Sequence, residues 1–401
     1  MTSTLITNVS ELTTQDADRR VHHDAAIVMQ EGRIAWVGSA RDVPATDEKI
    51  DAGGRALLPG WVDSHTHLVF AGDRSEEFEA RMAGAAYAAG GISTTMEATR
   101  SASDSTLKAL MRQRVAEAVA GGTTYLETKT GYGLSLEEET RHARLLDDLR
   151  RTGDIDAITY LGAHLIPPGE SAETYTALAA GPMLEAARPH VQWADVFCET
   201  GAFDEDQARQ VLTEAKRAGL GLRVHGNQLG VGSGVQLATE LSAASVDHVN
   251  HLTEADIEAL AQTWTNWDSH RAEGVPGTTA TCLPACDLST RQPLAPARRL
   301  LEAGVPVALA SNCNPGTSYT TSMNFNVATA VLQMRLSLAE AIRAATFDAA
   351  VSLRAHHQVG SIEVGKYADL HMLDAPSAIH LAYRPGMPLT YAVWRKGQRV
   401  H

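Results

Sequence analysis

The sequence lacks the features that mark membrane, secreted and nucleic-acid-binding proteins. No stretch is apolar for long enough to span a bilayer, and the first eight residues lack the basic and apolar regions of a signal peptide. The formal charge of −14 argues against a nucleic acid or an anionic membrane as partner. The four cysteines form neither a dense disulfide framework nor a paired zinc-binding pattern. These absences predict a cytoplasmic protein that binds neither membranes nor nucleic acids.

Both ends of the chain carry strand-like sequence. Residues 26–29 and 34–37 flank a turn at 30–33, which is typical of a β-hairpin. Residues 360–373 and 392–400 repeat the order of strand, turn and strand. We therefore predict that residues 1–57 and 361–401 pair into one composite β-domain, a small β-sandwich.

The middle of the chain alternates between helical and strand-like segments. Apolar residues recur at helical spacing over 106–119, 137–151, 205–218 and 337–345. Short β-rich runs lie between such segments, and with the strand before His65 they make about eight βα units. This count predicts an α/β fold with a (β/α)8 TIM-like barrel over residues 58–360. A doubly wound open sheet is the alternative, but no Gly-x-Gly-x-x-Gly motif follows the first strand.

A His-x-His pair, His65 and His67, follows the first barrel strand. Side chains alternate between the two faces of a strand, so both imidazoles point the same way. Neutral imidazole is the commonest metal ligand among side chains, and two on one face can hold one cation. A chance pair is the alternative, because the chain contains 16 histidines.

Polar residues also recur where other predicted strands end, and this is where TIM barrels carry their active sites. His164, His225 and His248 end the third, fifth and sixth strands, and the eighth strand leads into residues 311–317. A single histidine at a strand end is more often structural, but several from separate strands converge on one barrel mouth. Five histidines outside this pattern, which we expect to face solvent, are His22, His23, His356, His357 and His401.

These motifs resemble the amidohydrolase superfamily and, within it, the imidazolonepropionases of histidine degradation. The resemblance covers nearly the whole chain and rests on residues 59–70, 72–78, 128–134, 162–164, 195–199 and 314–317. His-x-His is typical of the whole superfamily, whereas the Arg74, Gly-Tyr-Gly and Asn-Pro-Gly-Thr segments are typical of these enzymes. The resemblance implies a small-molecule substrate, 4-imidazolone-5-propanoate, whose cyclic amide is hydrolysed to N-formimidoyl-L-glutamate.

The resemblance also implies one Zn²⁺ or Fe³⁺ ion per chain at the barrel mouth. His65, His67 and His225 match three of the family's protein ligands. Asn312 stands where the family has an aspartate as its fourth ligand. Asparagine is neutral, so it can neither take up a proton nor bind a metal as strongly as a carboxylate.

Several further residues match the family's substrate-binding positions. Arg74 matches the carboxylate-binding residue, and a planar guanidinium can bind both carboxylate oxygens at once. A surface ion pair with Glu76 or Glu77 is the alternative interpretation of Arg74, and an ordinary turn is the alternative for the Asn-Pro-Gly segment. The other matching residues are Tyr132, His164, Gln228, Asn314, Gly316 and Thr317.

The catalytic residues expected from these matches are His248, His164 and Gln228, although Gln228 stands where some family members carry a glutamate base. His248 replaces the missing carboxylate base in one interpretation. Asp247 or Asp63 helps in another, although both are expected to orient a neighbouring histidine. Two other functions stay open, namely another amidohydrolase such as a deaminase of a purine-like ring, and an impaired relative that only binds metal or ligand. Enzymes of this size are often symmetric dimers, so we expect a homodimer.

Overall fold

The computed structural model of the chain describes residues 2–84, 91–268 and 271–401. Within these residues the strands form two eight-stranded sheets and one two-stranded hairpin. In chain order the strands are β1 (Ser3–Thr13), β2 (Val21–Gln30), β3 (Arg33–Ser39), β4 (Glu48–Asp51), β5 (Ala56–Pro59), β6 (Trp61–Asp63), β7 (Thr123–Lys129), β8 (Ala157–Ala163), β9 (Trp193–Cys198), β10 (Gly221–Gly226), β11 (Ser245–His248), β12 (Trp267–Asp268), β13 (Glu273–Gly274), β14 (Thr279–Cys282), β15 (Val307–Leu309), β16 (Leu370–Leu373), β17 (Thr390–Arg395) and β18 (Gln398–Arg399).

Helices follow most of the barrel strands. In chain order they are α1 (Ser75–Met82), α2 (Ile92–Ser101), α3 (Asp104–Ala120), α4 (Leu136–Thr152), α5 (Ala172–Ala180), α6 (Pro182–Ala187), α7 (Glu205–Arg217), α8 (Gly234–Glu240), α9 (Glu254–Gln262), α10 (Pro284–Thr290), α11 (Ala297–Glu302), α12 (Met323–Gln333), α13 (Leu338–Ala344), α14 (Phe347–Ser352) and α15 (His380–Tyr383). Over the described ranges, we find no helix with the length and apolarity needed to cross a membrane.

The two chain ends build one sheet, as the hairpin patterns predict. Its strands run in the order β18-β17-β16-β5-β1-β2-β3, with β4 beside β1. Strand β5 joins the two ends, because it pairs with β1 and with β16. The sheet bends over its own core, since the Ala368 N–H donates to the Gly32 carbonyl at 2.9 Å. The boundary predicted after residue 57 falls inside β5.

The predicted barrel is confirmed, with all eight parallel strands in the expected places. Their order is β6-β7-β8-β9-β10-β11-β14-β15. The first and eighth strands meet just beyond their ends, where the Asn312 N–H donates to the His65 carbonyl and the His67 N–H to the Cys313 carbonyl, both at 2.9 Å. These backbone bonds place the His-x-His segment directly beside the segment that carries Asn312.

Local sequence explains why these elements form where they do. Strand β8 is buried along its whole length, as expected of an apolar strand in a parallel sheet covered by helices. Helix α4 begins after Ser135, whose hydroxyl accepts the Glu138 N–H at 3.3 Å. It ends at Gly153, whose φ of 82° is the left-handed conformation that favours glycine.

One of the outlying histidines does not face solvent. His356 is buried against the rings of Trp267 and Phe347, with ring centroids 5.3 and 6.0 Å away. Burial lowers its pKa to about 3, so the imidazole is neutral and packs as an aromatic ring. The expectation of exposure is wrong for His356, whereas His23, His357 and His401 are exposed.

Arg395 of β17 joins the end sheet to the barrel. Its guanidinium donates to the carbonyls of Thr124 and Asp154 at 2.9 and 3.2 Å and to the Asp156 carboxylate at 2.9 Å. Asp156 is almost fully buried. Burial raises the pKa of Asp156, and the charge of Arg395 opposes that rise. The side chain of Arg395 therefore both links the end sheet to the barrel and compensates a buried carboxylate.

Replacing Arg395 by alanine is expected to lower the free energy of unfolding by about 3–5 kcal/mol, because a buried carboxylate loses its partner. Thermal unfolding followed by circular dichroism measures the effect. The control is Arg399→Ala in β18, whose exposed guanidinium donates to the His401 carbonyl and lies 5.9 Å from the rings of Tyr391 and Trp394. Equal melting temperatures for the two variants would contradict the proposed role of Arg395.

Candidate metal centre and its cavity

Three histidines from separate parts of the barrel converge at its carboxyl-terminal mouth. His65 and His67 follow β6, and His225 lies in β10. One ring nitrogen of each lies within 4.8 Å of the others, and all three side chains are buried. The Nε2 atoms of His65 and His67 are 3.3 Å apart. We call these three residues the histidine centre.

Two buried carboxylates orient the histidine centre. Asp247 Oδ2 lies 2.7 Å from His65 Nδ1, and Asp195 Oδ1 lies 3.0 Å from His225 Nδ1. An Nδ1–H that donates to a carboxylate leaves Nε2 with a free lone pair. The position of Asp247 agrees with the expected orienting role, whereas Asp195 was not singled out as an orienting residue.

Buried cations lie against these carboxylates, and Lys129 also pairs with the buried Glu127 at 3.0 Å. Lys129 Nζ lies 3.1 Å from Asp195, and Arg223 Nη2 lies 3.2 Å from Asp247, with all four side chains inaccessible to solvent. Burial alone would raise the pKa of each carboxyl, but the surrounding positive groups hold both pKa values below the usual range. Both carboxylates are therefore ionised, and their hydrogen bonds to the imidazoles are charge-assisted.

The donor atoms of the centre fit a transition-metal ion. His225 Nε2, His67 Nδ1 and Asn312 Oδ1 are buried and make no hydrogen bond. Burial lowers the pKa of His65 and His67, so their imidazoles are neutral and can act as ligands. Neutral imidazoles with one oxygen donor are ligands that suit Zn²⁺ or an iron ion.

A cavity above the histidine centre brings together most of the residues predicted for the site. The lining residues are His67, Arg74, Ile92, Tyr132, His164, Phe197, His225, Gln228, His248, Asn312, Asn314 and Thr317. His65 is fully buried beneath them. Sequence reasoning missed Ile92 and Phe197, because an apolar side chain in a helix or strand gives no indication that it faces a ligand.

Arg74 is held in a narrow slot at the side of this cavity. Glu77 accepts from its Nε and Nη2 atoms, both at 2.8 Å. A Cβ atom on Gly316 would lie 2.3 Å from Nη1, and one on Gly91 would lie 2.1 Å from Nη2. The guanidinium thus fits only because both neighbours are glycines. The Glu77 pair expected as the alternative does exist, yet Arg74 is only 6% exposed and also lines the cavity.

The Tyr132 loop is fastened by Glu139 of α4. The Glu139 carboxylate accepts the N–H groups of Gly131, Gly133 and Leu134 at 3.1, 2.7 and 2.9 Å. The Gly131 carbonyl in turn lies 2.8 Å from His164 Nδ1. Glu139 therefore positions two cavity residues, although it lies on a helix and touches neither the cavity nor a predicted ligand.

The Asn-Pro-Gly-Thr segment uses its own polar atoms to hold its shape. Asn314 Oδ1 accepts the N–H groups of Gly316 and Thr317 at 2.9 and 2.8 Å. Asn314 Nδ2 donates to the Asn312 carbonyl at 2.7 Å. The turn expected as the alternative thus exists, and substrate binding by Asn314, Gly316 and Thr317 stays a prediction.

Gln228 and His248 complete the cavity opposite Arg74. The Gln228 N–H donates to Glu199 at 2.8 Å, and its side-chain amide donates weakly to Cys286 Sγ at 3.7 Å. His248 ends β11, is buried, and has an Nδ1 atom without a hydrogen-bond partner. Its ring centroid lies 5.4 Å from that of His225.

Replacing Glu139 by glutamine is expected to loosen the Tyr132 loop, because the neutral amide loses the charge that strengthens these bonds and places an N–H donor where Oε2 now accepts the Gly131 N–H at 3.1 Å. Hydrogen exchange measured by mass spectrometry should show faster exchange of the amides in residues 131–134. Glu138→Gln, one residue earlier on the same helix, is the matched control, since Glu138 pairs with Arg141 instead. Unchanged exchange in Glu139→Gln would contradict the fastening role.

Comparison with known proteins places these features in context. A model of the amidohydrolase family matches residues 56–400. The chain is 68% identical to the imidazolonepropionase of Micrococcus luteus, with 100% of both chains covered. It is 64% identical to that of Paenarthrobacter aurescens, covering 99% of this chain and 98% of the relative. It is 58% identical to that of Saccharopolyspora erythraea, covering 100% of this chain and 99% of the relative.

Solved structures share the fold at much lower identity. Atrazine chlorohydrolase from Arthrobacter aurescens TC1, complexed with zinc, superimposes with a TM-score of 0.74 at 17% identity over 99% of this chain and 95% of that one. An adenosine deaminase from Xanthomonas campestris with bound zinc gives a TM-score of 0.71 at 20% identity, over 99% of this chain and 92% of that one. At such identity the likeness shows a common barrel architecture.

Proposed function

The chain belongs to the imidazolonepropionases of the amidohydrolase family, and we propose that its histidine-lined cavity hydrolyses 4-imidazolone-5-propanoate to N-formimidoyl-L-glutamate. One observation supports the assignment of this reaction to the cavity. The histidine centre and the guanidinium of Arg74 lie at the same cavity. A flat cyclic amide with a carboxylate tail needs both a hydrolytic centre and a cationic anchor beside it.

We assign the carboxylate tail to Arg74. Its guanidinium is fixed by Glu77 and by the backbones of Gly91 and Gly316, so little freedom is lost when a ligand binds. The imidazolone ring then lies towards Tyr132, His164 and Gln228, which line the same cavity. Burial lowers the pKa of His164 to about 3, so its ring is neutral and can stack on a neutral heterocycle.

The metal would be held by His65, His67 and His225, with Asn312 as a neutral fourth ligand, and we propose one Zn²⁺ or Fe³⁺ ion per chain. When bound, such an ion supplies Lewis acidity, which can lower the pKa of a water ligand to about 7. Asp195 and Asp247 keep the Nε2 lone pairs of His225 and His65 available for this role.

We assign proton transfer to His248. Ring opening moves one proton from the attacking water to the departing ring nitrogen, while oxygen bonds to the carbonyl carbon and the carbon–nitrogen bond breaks. Burial lowers the pKa of His248, so the neutral imidazole can accept a proton and pass it on. Asp247 is already occupied by His65 and Arg223, and Asp63 accepts the Ser311 N–H at 3.0 Å, so both are better suited to orientation.

Replacing Arg74 by lysine is expected to raise KM by about 10- to 100-fold with a smaller change in kcat, because a point charge replaces a bidentate donor. Steady-state kinetics on imidazolonepropanoate measures both constants. Arg112→Lys is the control, since Arg112 lies on the exposed face of α3 and pairs with Asp154. A fall in kcat alone would place Arg74 in the chemical step and contradict the assignment.

The proposed function is tested by metal analysis combined with the loss of imidazolone absorbance. We expect the zinc- or iron-loaded chain to turn over imidazolonepropanoate and His225→Ala to lose both metal and turnover, whereas the surface control His190→Ala keeps both. Faster turnover of guanine would identify a different amidohydrolase, because a purine has no carboxylate for Arg74.

Asn312 favours a second candidate, a relative that binds metal but no longer hydrolyses. In that case the loaded chain would be inactive and Asn312→Asp would restore turnover. We expect instead that the chain is active with asparagine in place, since the other residues assigned to the substrate surround the cavity. The homodimer and the cytoplasmic location stay predictions.

A further inference from the structure

A second group of potential metal ligands lies beside the histidine centre. His248, Cys286 and Asp287 each offer one ligand atom, and these atoms lie within 4.8 Å of one another. His248 ends β11, while Cys286 and Asp287 lie in α10, directly after the neighbouring strand β14. All three residues are at most 2% exposed. We call them the second ligand group.

Two members of this group have unsatisfied polar atoms. His248 Nδ1 is buried without a hydrogen-bond partner, and Asp287 Oδ1 is buried beside the Asn250 side chain without a well-formed hydrogen bond. The other Asp287 oxygen accepts the Ala295 N–H at a long 3.3 Å. A buried polar atom without a partner is energetically unfavourable, so a bound cation would relieve an existing penalty.

The second ligand group is connected to the cavity. His248 and Gln228 line the cavity, and the Gln228 amide contacts Cys286 Sγ at 3.7 Å. The thiol therefore lies directly behind two side chains of the cavity wall.

An imidazole, a thiolate and a carboxylate together form a donor set preferred by Zn²⁺ and Co²⁺. We propose that His248, Cys286 and Asp287 form a second transition-metal site, distinct from the histidine centre. On binding, the Cys286 S–H bond breaks, a sulfur–metal bond forms, and the proton leaves to solvent. Because the histidine centre needs no proton loss, it is expected to fill first.

Occupation of the second site has a functional consequence, which rests on the proposed function. A metal ion on His248 engages the imidazole that is assigned to proton transfer. Turnover is therefore expected to fall when a second equivalent of metal binds. This makes the second ligand group an inhibitory site for excess zinc or cobalt.

Cobalt titration of the metal-free chain tests the site without relying on turnover. A thiolate ligand gives Co²⁺ an intense near-ultraviolet charge-transfer band, whereas histidine and asparagine ligands do not. We expect two bound ions per chain, with this band appearing on the second. Cys286→Ser should bind one ion and lose the band, and Cys282→Ser should behave like the unmodified chain. Cys282 is the matched control because it is also buried, lies four residues earlier, and belongs to neither group.

Asp287→Asn provides a second variant that keeps the thiol. It is expected to weaken the band-forming event by about tenfold or more, because a neutral amide oxygen replaces a charged ligand. Absence of the band in the unmodified chain, or its survival in Cys286→Ser, would overturn the proposal. A chain with the cobalt band but without imidazolonepropanoate turnover would contradict the proposed function and leave the second site standing.

Discussion

The hydrogen bonds that His65 donates to Asp247 and His225 donates to Asp195 are the interactions on which the site depends. They fix which ring nitrogen is free, and they do so at the centre of a fully buried group of charges. Burying an ionised side chain in a barrel core without a partner costs much free energy. The four buried here form two pairs of opposite charge, Asp195 with Lys129 and Asp247 with Arg223. The removal of any one of them would leave a charge uncompensated and turn a ligand ring.

In the metal site that we propose, the same carboxylates would compensate for the neutral asparagine at position 312. Direct ligands of the histidine centre are all neutral, so a divalent ion there would receive no negative charge from them. Asp195 and Asp247 lie one hydrogen bond further out, and both are ionised because cations and histidines surround them. Negative charge is thus supplied through the imidazoles rather than directly, which raises the basicity of those ligands.

The overall architecture could be predicted from the sequence because it depends on local patterns. Helical apolar spacing, β-rich runs, hairpin turns and the polar residues at strand ends are all local patterns, so the barrel, the paired chain ends and the convergence of His65, His67 and His225 could be predicted. The unpredicted parts depend on contacts between distant segments. Glu139 fastens a loop from a helix, and Lys129 meets Asp195 only because β7 and β9 flank β8 in a closed barrel.

The prediction that His356 is exposed was wrong for the same reason, because its burial depends on contacts between distant segments. Nothing in the neighbouring sequence shows that Trp267 and Phe347 enclose it. The role of the Asn-Pro-Gly segment could not be predicted either, since the same residues can form an ordinary turn or a substrate-binding loop. Only the three-dimensional arrangement shows that the Asn314 side-chain amide makes hydrogen bonds within its own loop.

The Arg74 slot illustrates how such distant contacts create specificity. A guanidinium on a flexible side chain would bind many anions weakly, whereas this one is fixed by Glu77 on one edge and by two glycine backbones on either side. The negative charge of Glu77 keeps the arginine compensated when no ligand is present, so an incoming carboxylate must offer better geometry than an existing partner. This requirement favours a tail of fixed length on a ring positioned by the histidine centre and disfavours carboxylates that cannot reach both. In the proposed function, selectivity for a ring that bears a propanoate tail would therefore depend on the separation of two rigid groups, the histidine centre at the strand ends and Arg74 between its glycines.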